Sequence, residues 1–105
     1  MDTIGRREEQ ILLAISYLGD EAYLVSVRKY LSEIQCRPIS IGAVHIPLRR
    51  LEKEKYIRAH LGNPTPARGG RRKKIYSLTD RAIRVLEENK RVHDILWSSY
   101  AGLKS

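Results

Sequence analysis

The chain has 105 residues, 42% of them hydrophobic, so it is the size of one domain with a modest core. Lys and Arg total 20 against 12 Asp and Glu, and the net charge of +8 calls for a polyanionic partner while leaving the fold open. The single Cys36 excludes an intrachain disulfide framework, no apolar run approaches the ~18 residues of a membrane span, and the first residues lack a signal-peptide layout. A basic, soluble protein of the cytoplasm with no membrane partner is expected.

Ile11, Leu12, Ala14, Ile15 and Leu18 recur at helical spacing and Gly19 follows as a helix-ending residue, which predicts a first helix over 6–18. Leu24, Val27, Leu31 and Ile34, at steps of 3, 4 and 3, predict a second helix ending near Pro38, with Ala22-Tyr23-Leu24 as a candidate short strand before it. Ser40 is a good N-cap for a third helix whose core stripe is Ile41, Val44, Leu48 and Leu51. Tyr56 to Leu61 reads as a strand, 62–72 as a loop rich in Gly, Pro and Arg, and Lys73 to Leu78 as the returning strand. Thr79-Asp80 signals the start of a last helix, from Arg81 to about Tyr100.

The charge is not spread evenly. Ser40 to Arg84 holds 12 bases and 3 acids, whereas 1–39 is net −1 and 85–105 is neutral. Three helices followed by a hairpin with a basic tip is the order of a winged helix-turn-helix. The expected fold is therefore mainly α with a small β-hairpin, as one compact unit. Residues 1–80 form a winged helix-turn-helix DNA-binding domain, and 81–105 form a long C-terminal helix. In such a domain the third helix enters the major groove of duplex DNA and the hairpin lies along the adjacent backbone.

Projected at 100° per residue, helix 40–55 turns Gly42, Ala43, Ile46, Arg49, Arg50 and Lys53 away from its core stripe. With Ser40 at the cap, small residues in the first turn permit close approach to base edges. Arg49 and Arg50 suit bidentate contact with guanine or a phosphate clamp, and Lys53 suits phosphate. The competing reading of these cations is a solvated face paired with Glu52 or Glu54. His45, at the edge of the stripe, reads equally as a base or phosphate contact and as a packed boundary residue. Pro47 removes one helical hydrogen bond and bends the helix. In the wing, 62–74, the run Arg68, Gly69, Gly70, Arg71, Arg72, Lys73 and Lys74 places five cations in seven residues, with a glycine pair for a tight turn. It suits phosphate contact or insertion into a narrow minor groove.

Ile41-Gly42-Ala43-Val44-His45, then Leu48-Arg49-Arg50-Leu51-Glu52, then Gly69-Gly70-Arg71-Arg72-Lys73-Lys74-Ile75-Tyr76-Ser77-Leu78-Thr79 resemble the PadR family of bacterial transcriptional regulators. The likeness covers about residues 10–90, and the loop from Leu61 to Arg71 resembles the extended wing of one PadR-like subgroup. Two positions depart from it. Lys55 stands where members often carry Gly, and a left-handed backbone there costs ~1 kcal/mol. Pro47 lies one position after the usual proline. The resemblance implies a regulator, most readily a repressor, that binds double-stranded DNA as a homodimer joined by its C-terminal helix.

On that helix Ala82, Leu86, Asn89, His93, Leu96, Tyr100 and Leu103 follow steps of 4 and 3, and Ile83, Val85, Val92, Ile95 and Trp97 widen the arc beyond what one small domain covers. The expected dimer interface is Leu86, Asn89, His93, Leu96, Trp97, Tyr100 and Leu103, with Asn89 and His93 setting its register. The competing reading is a helix packed back on the first. Trp97 reads first as a dimer-core residue and second as the lining of a small-molecule effector pocket between subunits. His45, His60 and His93 with Cys36 lack the spacing of a zinc site, and no nucleophile–base set or phosphate loop is present. No metal, cofactor or enzymatic activity is expected. The alternative from another class is a winged-helix module for protein–protein interaction or RNA binding, and a salt titration of duplex binding separates the two.

Overall fold

The computed structural model of the chain describes residues 3–63 and 72–103. Helix α1, Arg6–Leu18, forms on the expected phase, with Ile11, Leu12, Ala14 and Ile15 buried. Glu8 closes its N-terminus, Oε1 accepting from the Gly5 amide at 2.7 Å. Gly19 ends it at φ 56°, ψ −122°, a backbone region that only glycine enters cheaply. One 3-10 turn, Gly19–Glu21, leads into α2, Leu24–Gln35.

The short strand expected at Ala22-Tyr23-Leu24 does not form. Tyr23 is already the N-cap of α2, its amide donating to Ser26 Oγ at 3.0 Å, so little extended chain remains to pair. A single backbone bond, from the Tyr76 amide to the Ala22 carbonyl at 2.8 Å, stands in its place. Val27 and Leu31 of α2 face the core, but Ile34 is 62% exposed. At that end α1 and α2 meet through an amide pair, Gln35 Nε2 donating to Gln10 Oε1 at 2.9 Å, rather than through apolar side chains.

The turn into the third helix is fixed by its own hydrogen bonds. Cys36 takes a left-handed conformation, φ 54°, and the Arg37 amide reaches back to the Ser32 carbonyl at 3.1 Å. The Ile39 amide donates to Ser32 Oγ at 3.1 Å, and Arg28 Nη1 to the Ile39 carbonyl at 3.3 Å. Helix α3, Ile41–Lys53, then starts on Ser40, whose Oγ accepts from the Ala43 amide at 3.1 Å. Val44, Leu48 and Leu51 are fully buried, whereas Ile41, in the first position at the rim of the stripe, is 43% exposed.

The end of α3 is closed by the chain that follows it. The Lys55 amide donates to the Glu52 carbonyl at 3.1 Å and the Tyr56 amide to the Leu51 carbonyl at 2.9 Å, with Lys55 at φ 65°. That is the helix-ending loop usually built on glycine, made here with lysine. Strand β1, Ile57–Leu61, pairs antiparallel with β2, Lys74–Leu78, in the register Ile57 opposite Leu78 and Leu61 opposite Lys74. Tyr56, Ile57, Ile75 and Tyr76 lay the stem of the hairpin on the helical core.

Helix α4, Asp80–Ser98, is capped by Thr79, whose Oγ1 accepts from the Ala82 amide at 3.4 Å and donates to the Lys55 carbonyl at 2.7 Å. Ala82 and Val85 complete the core, but from Lys90 to Gly102 every residue is exposed. The described chain is accordingly elongated, 56 × 31 × 21 Å.

Candidate nucleic-acid interface

Helix α3 has a buried stripe and two occupied flanks, and what remains between the flanks faces solvent. On one flank Arg50 is bonded through Nη1 to Glu8 Oε2 of α1, and its Nη2 lies 3.5 Å from Glu54. Glu8 is the one buried charged side chain among the described residues, so this pair ties α3 to α1. The hydrogen bond to Glu8, reinforced by the charges of Glu8 and Glu54, raises the pKa of the Arg50 guanidinium. Arg50, still exposed, is thus ion-paired to carboxylates of its own chain and is not left free on the outer arc.

The other flank faces the hairpin. Lys74 Nζ is 2.8 Å from Glu52 Oε1, a hydrogen bond that raises the lysine's pKa. Lys73 Nζ sits 4.1 Å above the ring of Tyr23, at the start of α2, and Arg72 Nε donates to the Gly62 carbonyl at 2.9 Å. These contacts seat the stem of the hairpin beside α3. They frame a cleft lined by Tyr23, His45, Arg49, Lys73, Lys74 and Tyr76, among others. Nothing in the local sequence marks Tyr23 for this place, since only the tertiary fold brings the start of α2 under the hairpin.

Between the two flanks stand Gly42, Ile46, Arg49 and Lys53, all exposed, with Ile46 at 71%. The side chains of Arg49 and Lys53 make no ion pair or hydrogen bond among the described residues. A Cβ added at Gly42 meets nothing within 4 Å, so no neighbour in the chain requires glycine there. Gly62 differs, because a Cβ would stand 3.1 Å from Ile75 Cγ1. His45 is exposed rather than packed, Ala43 is half-buried, and the Ser40 hydroxyl serves the cap. Of the expected wing residues, Arg72, Lys73 and Lys74 are placed as above, while Arg68, Gly69, Gly70 and Arg71 lie outside the described residues.

Crystal structures of similar chains have this architecture. A PadR-like transcriptional regulator from Bacillus cereus superposes with a TM-score of 0.73 at 28% identity, over 88% of this chain and 84% of its own. This chain is PadR-like. PadR family regulators from Eggerthella lenta, at TM-score 0.66 and 29% identity over 89% and 79% of the two chains, and from Clostridium difficile, at 0.62 and 26% over 86% and 91%, agree with it. No protein-family model matches the sequence, and neither does any curated protein.

The PadR-like chain keeps α4 mechanically connected to α3. Arg81 donates to the Glu54 carbonyl and lies 4.3 Å over the ring of Tyr56. Leu86 and Asn89 are half-buried against the domain, and Asn89 Nδ2 donates to Glu9 Oε2 at 2.7 Å. Beyond them His93, Leu96, Trp97 and Tyr100 are exposed, with Trp97 and Tyr100 edge to face at 5.2 Å. The side chain of Leu103 is outside the described set. A groove of about 620 Å³ runs between the first turn of α1 and α4, floored by Ile4, Val85, Val92 and Leu96. Among the described residues no three His, Cys, Asp or Glu side chains are grouped to hold a metal ion, and no helix is long and apolar enough to cross a membrane.

Proposed function

We propose that this PadR-like chain is a cytoplasmic transcriptional repressor that binds duplex DNA as a twofold dimer. The observation that carries the reading is the solvent face of α3. Gly42, Ile46, Arg49 and Lys53 stand bare between two occupied flanks, with the basic stem of the hairpin alongside. A helix presented this way fits a major groove about 12 Å wide. Its first turn, small at Gly42 and Ala43, lies closest to the base edges. Arg49 reads a base, Lys53 meets phosphate, and the wing, through Arg72, Lys73 and its tip, follows the backbone or the minor groove.

Dimerisation rests on α4. Its outer half exposes Val92, Ile95, Leu96, Trp97 and Tyr100 at 39–64%, an apolar stripe that one copy leaves uncovered and a second copy covers by the same stripe under twofold symmetry. Paired domains then present two α3 helices to successive major grooves of a near-palindromic site. The groove between α1 and α4 is where a small-molecule effector acts, since one wall is the dimer helix and the other includes Gly5, whose amide is held by Glu8, the residue tied to α3.

Duplex binding measured across a salt series tests the reading. A DNA regulator loses affinity linearly in log salt, by ~0.9 in slope per phosphate contacted. A flat response overturns the DNA assignment in favour of a protein-binding module. Selection from a random duplex library then gives the half-site and its spacing.

A further inference from the structure

A second group of basic side chains lies apart from both the wing and the outer face of α3. Arg6 and Arg7, in the first turn of α1, share a groove of about 580 Å³ with Gln10, Gln35 and Arg37, the last in the turn that leads into α3. No carboxylate lines it. Of the acids beside these arginines in sequence, Glu8 is paired with Arg50, and Glu9 accepts from Asn89 and lines the α1–α4 groove instead. The side chains of Arg6 and Arg37 make no ion pair or hydrogen bond among the described residues, and the side chain of Arg7 bonds only Gln10, Nη1 to Oε1 at 3.1 Å. That same Gln10 oxygen accepts from Gln35 at 2.9 Å, so the Gln10 acceptor is occupied and the groove's remaining groups are, apart from the Gln35 oxygen, N–H donors. Three like charges gathered around one groove repel one another, and an anion between them relieves the repulsion.

The position of this group relative to α3 indicates which anion. The wing stem holds one flank of α3 through Lys74 and Glu52, and the first turn of α1 holds the other through Glu8 and Arg50. A helix with its side chains is about 10–12 Å across and the major groove about 12 Å wide, so a helix seated in it brings its two flanks against the two phosphate backbones that line the groove. We infer that Arg6, Arg7 and Arg37 form a second phosphate-contacting surface, which takes the DNA backbone across the major groove from the wing. The inference rests on the DNA reading above and adds a contact to it. The whole of 1–39 carries a net charge of −1, which conceals a cluster that only the fold gathers around one groove without carboxylates.

The test compares the whole protein with the variant Arg6→Gln, Arg7→Gln, Arg37→Gln, and with Arg6→Gln, Arg37→Gln, which leaves the Arg7–Gln10 bond in place. Thermal unfolding shows that each folds. Duplex binding across a salt series is expected to lose ~0.9 in log–log slope per phosphate, about 2–3 for the triple variant and about 2 for the double, with affinity falling on all sequences alike. A steep wild-type response matched by both variants overturns this surface and leaves the DNA reading standing. A flat wild-type response overturns both.

Discussion

Gly42 is where stability and function are expected to move in opposite directions. It occupies the second position of α3, faces solvent, and has open space where a Cβ would go. Its φ is not in the positive range, so an L side chain fits the backbone without strain. Gly42→Ala therefore only narrows the unfolded ensemble and improves helix propensity, and is expected to stabilise the fold by about 0.5 kcal/mol, near the low end of the Gly-to-Ala range because the site is close to the helix start. Gly42→Leu, equally helix-compatible, is expected to fold at least as well as wild type. On DNA the order reverses. If the first turn of α3 approaches base edges, a methyl intrudes on the closest contact and an isobutyl group blocks it, so the expected loss is small for Ala and tenfold or more for Leu, ~1.4 kcal/mol. Urea unfolding measures the first effect and fluorescence anisotropy with a selected duplex the second. Unchanged binding by Gly42→Leu refutes the close approach, whatever the stabilities. Loss of stability refutes the claim that the position is internally unconstrained.

Lys55→Gly removes the strain of a left-handed lysine, about 1–2 kcal/mol, against the extra unfolded-state entropy of glycine, about 0.4–1 kcal/mol, for a net gain of about 0.5–1 kcal/mol. Lys55→Ala, which loses the same charge but keeps the strain, is the control, and equal melting temperatures for the two variants would contradict the account. At high pH two wing-stem groups act together. Burial raises the pKa of the Tyr76 phenol and the Glu52 bond raises that of the Lys74 ammonium, so both hold their protons more tightly when folded. Their stabilising contributions are complete below about pH 10 and are lost as pH rises through the raised values. Tyr76→Phe is expected to make that alkaline loss shallower in urea titrations between pH 9 and 11. For the dimer, Leu96→Asp with Trp97→Ala is expected to shift the sedimenting species from about twice 12.1 kDa to the monomer mass without unfolding the domain, since both side chains are exposed in one copy.

Local chemistry made most of the fold legible. α1 starts and ends where its apolar phase and Gly19 place it, and Ser40 and Thr79 cap the helices they precede. The hairpin strands agree within a residue, because β1 and β2 carry β-formers on either side of a turn-rich segment. Long-range pairings escaped the sequence. Glu8 and Arg50 are separated by 42 positions and Glu9 and Asn89 by 80, and helical phase treats each as a surface residue. Phase therefore grouped Arg50 with Arg49 on one arc, although a partner on another helix pairs one and leaves the other free. Ile34 failed for a related reason: the two helices meet at that end through the Gln35–Gln10 pair, and the last apolar position of the stripe stays exposed.

The hairpin has a consequence for solubility. With the expected third strand reduced to one bond at Ala22, the sheet has two strands among the described residues, and the outer side of β1 is a free edge, a template for pairing with another chain. Arg58 and His60 alternate along that strand in exposed positions, beside the exposed Leu61. A cation at the second position of a five-residue edge makes an approaching copy of the same strand meet its own charge. On the proposed dimer, where the apolar α4 stripe takes a second copy, Arg58 keeps that association on the helix and off the sheet.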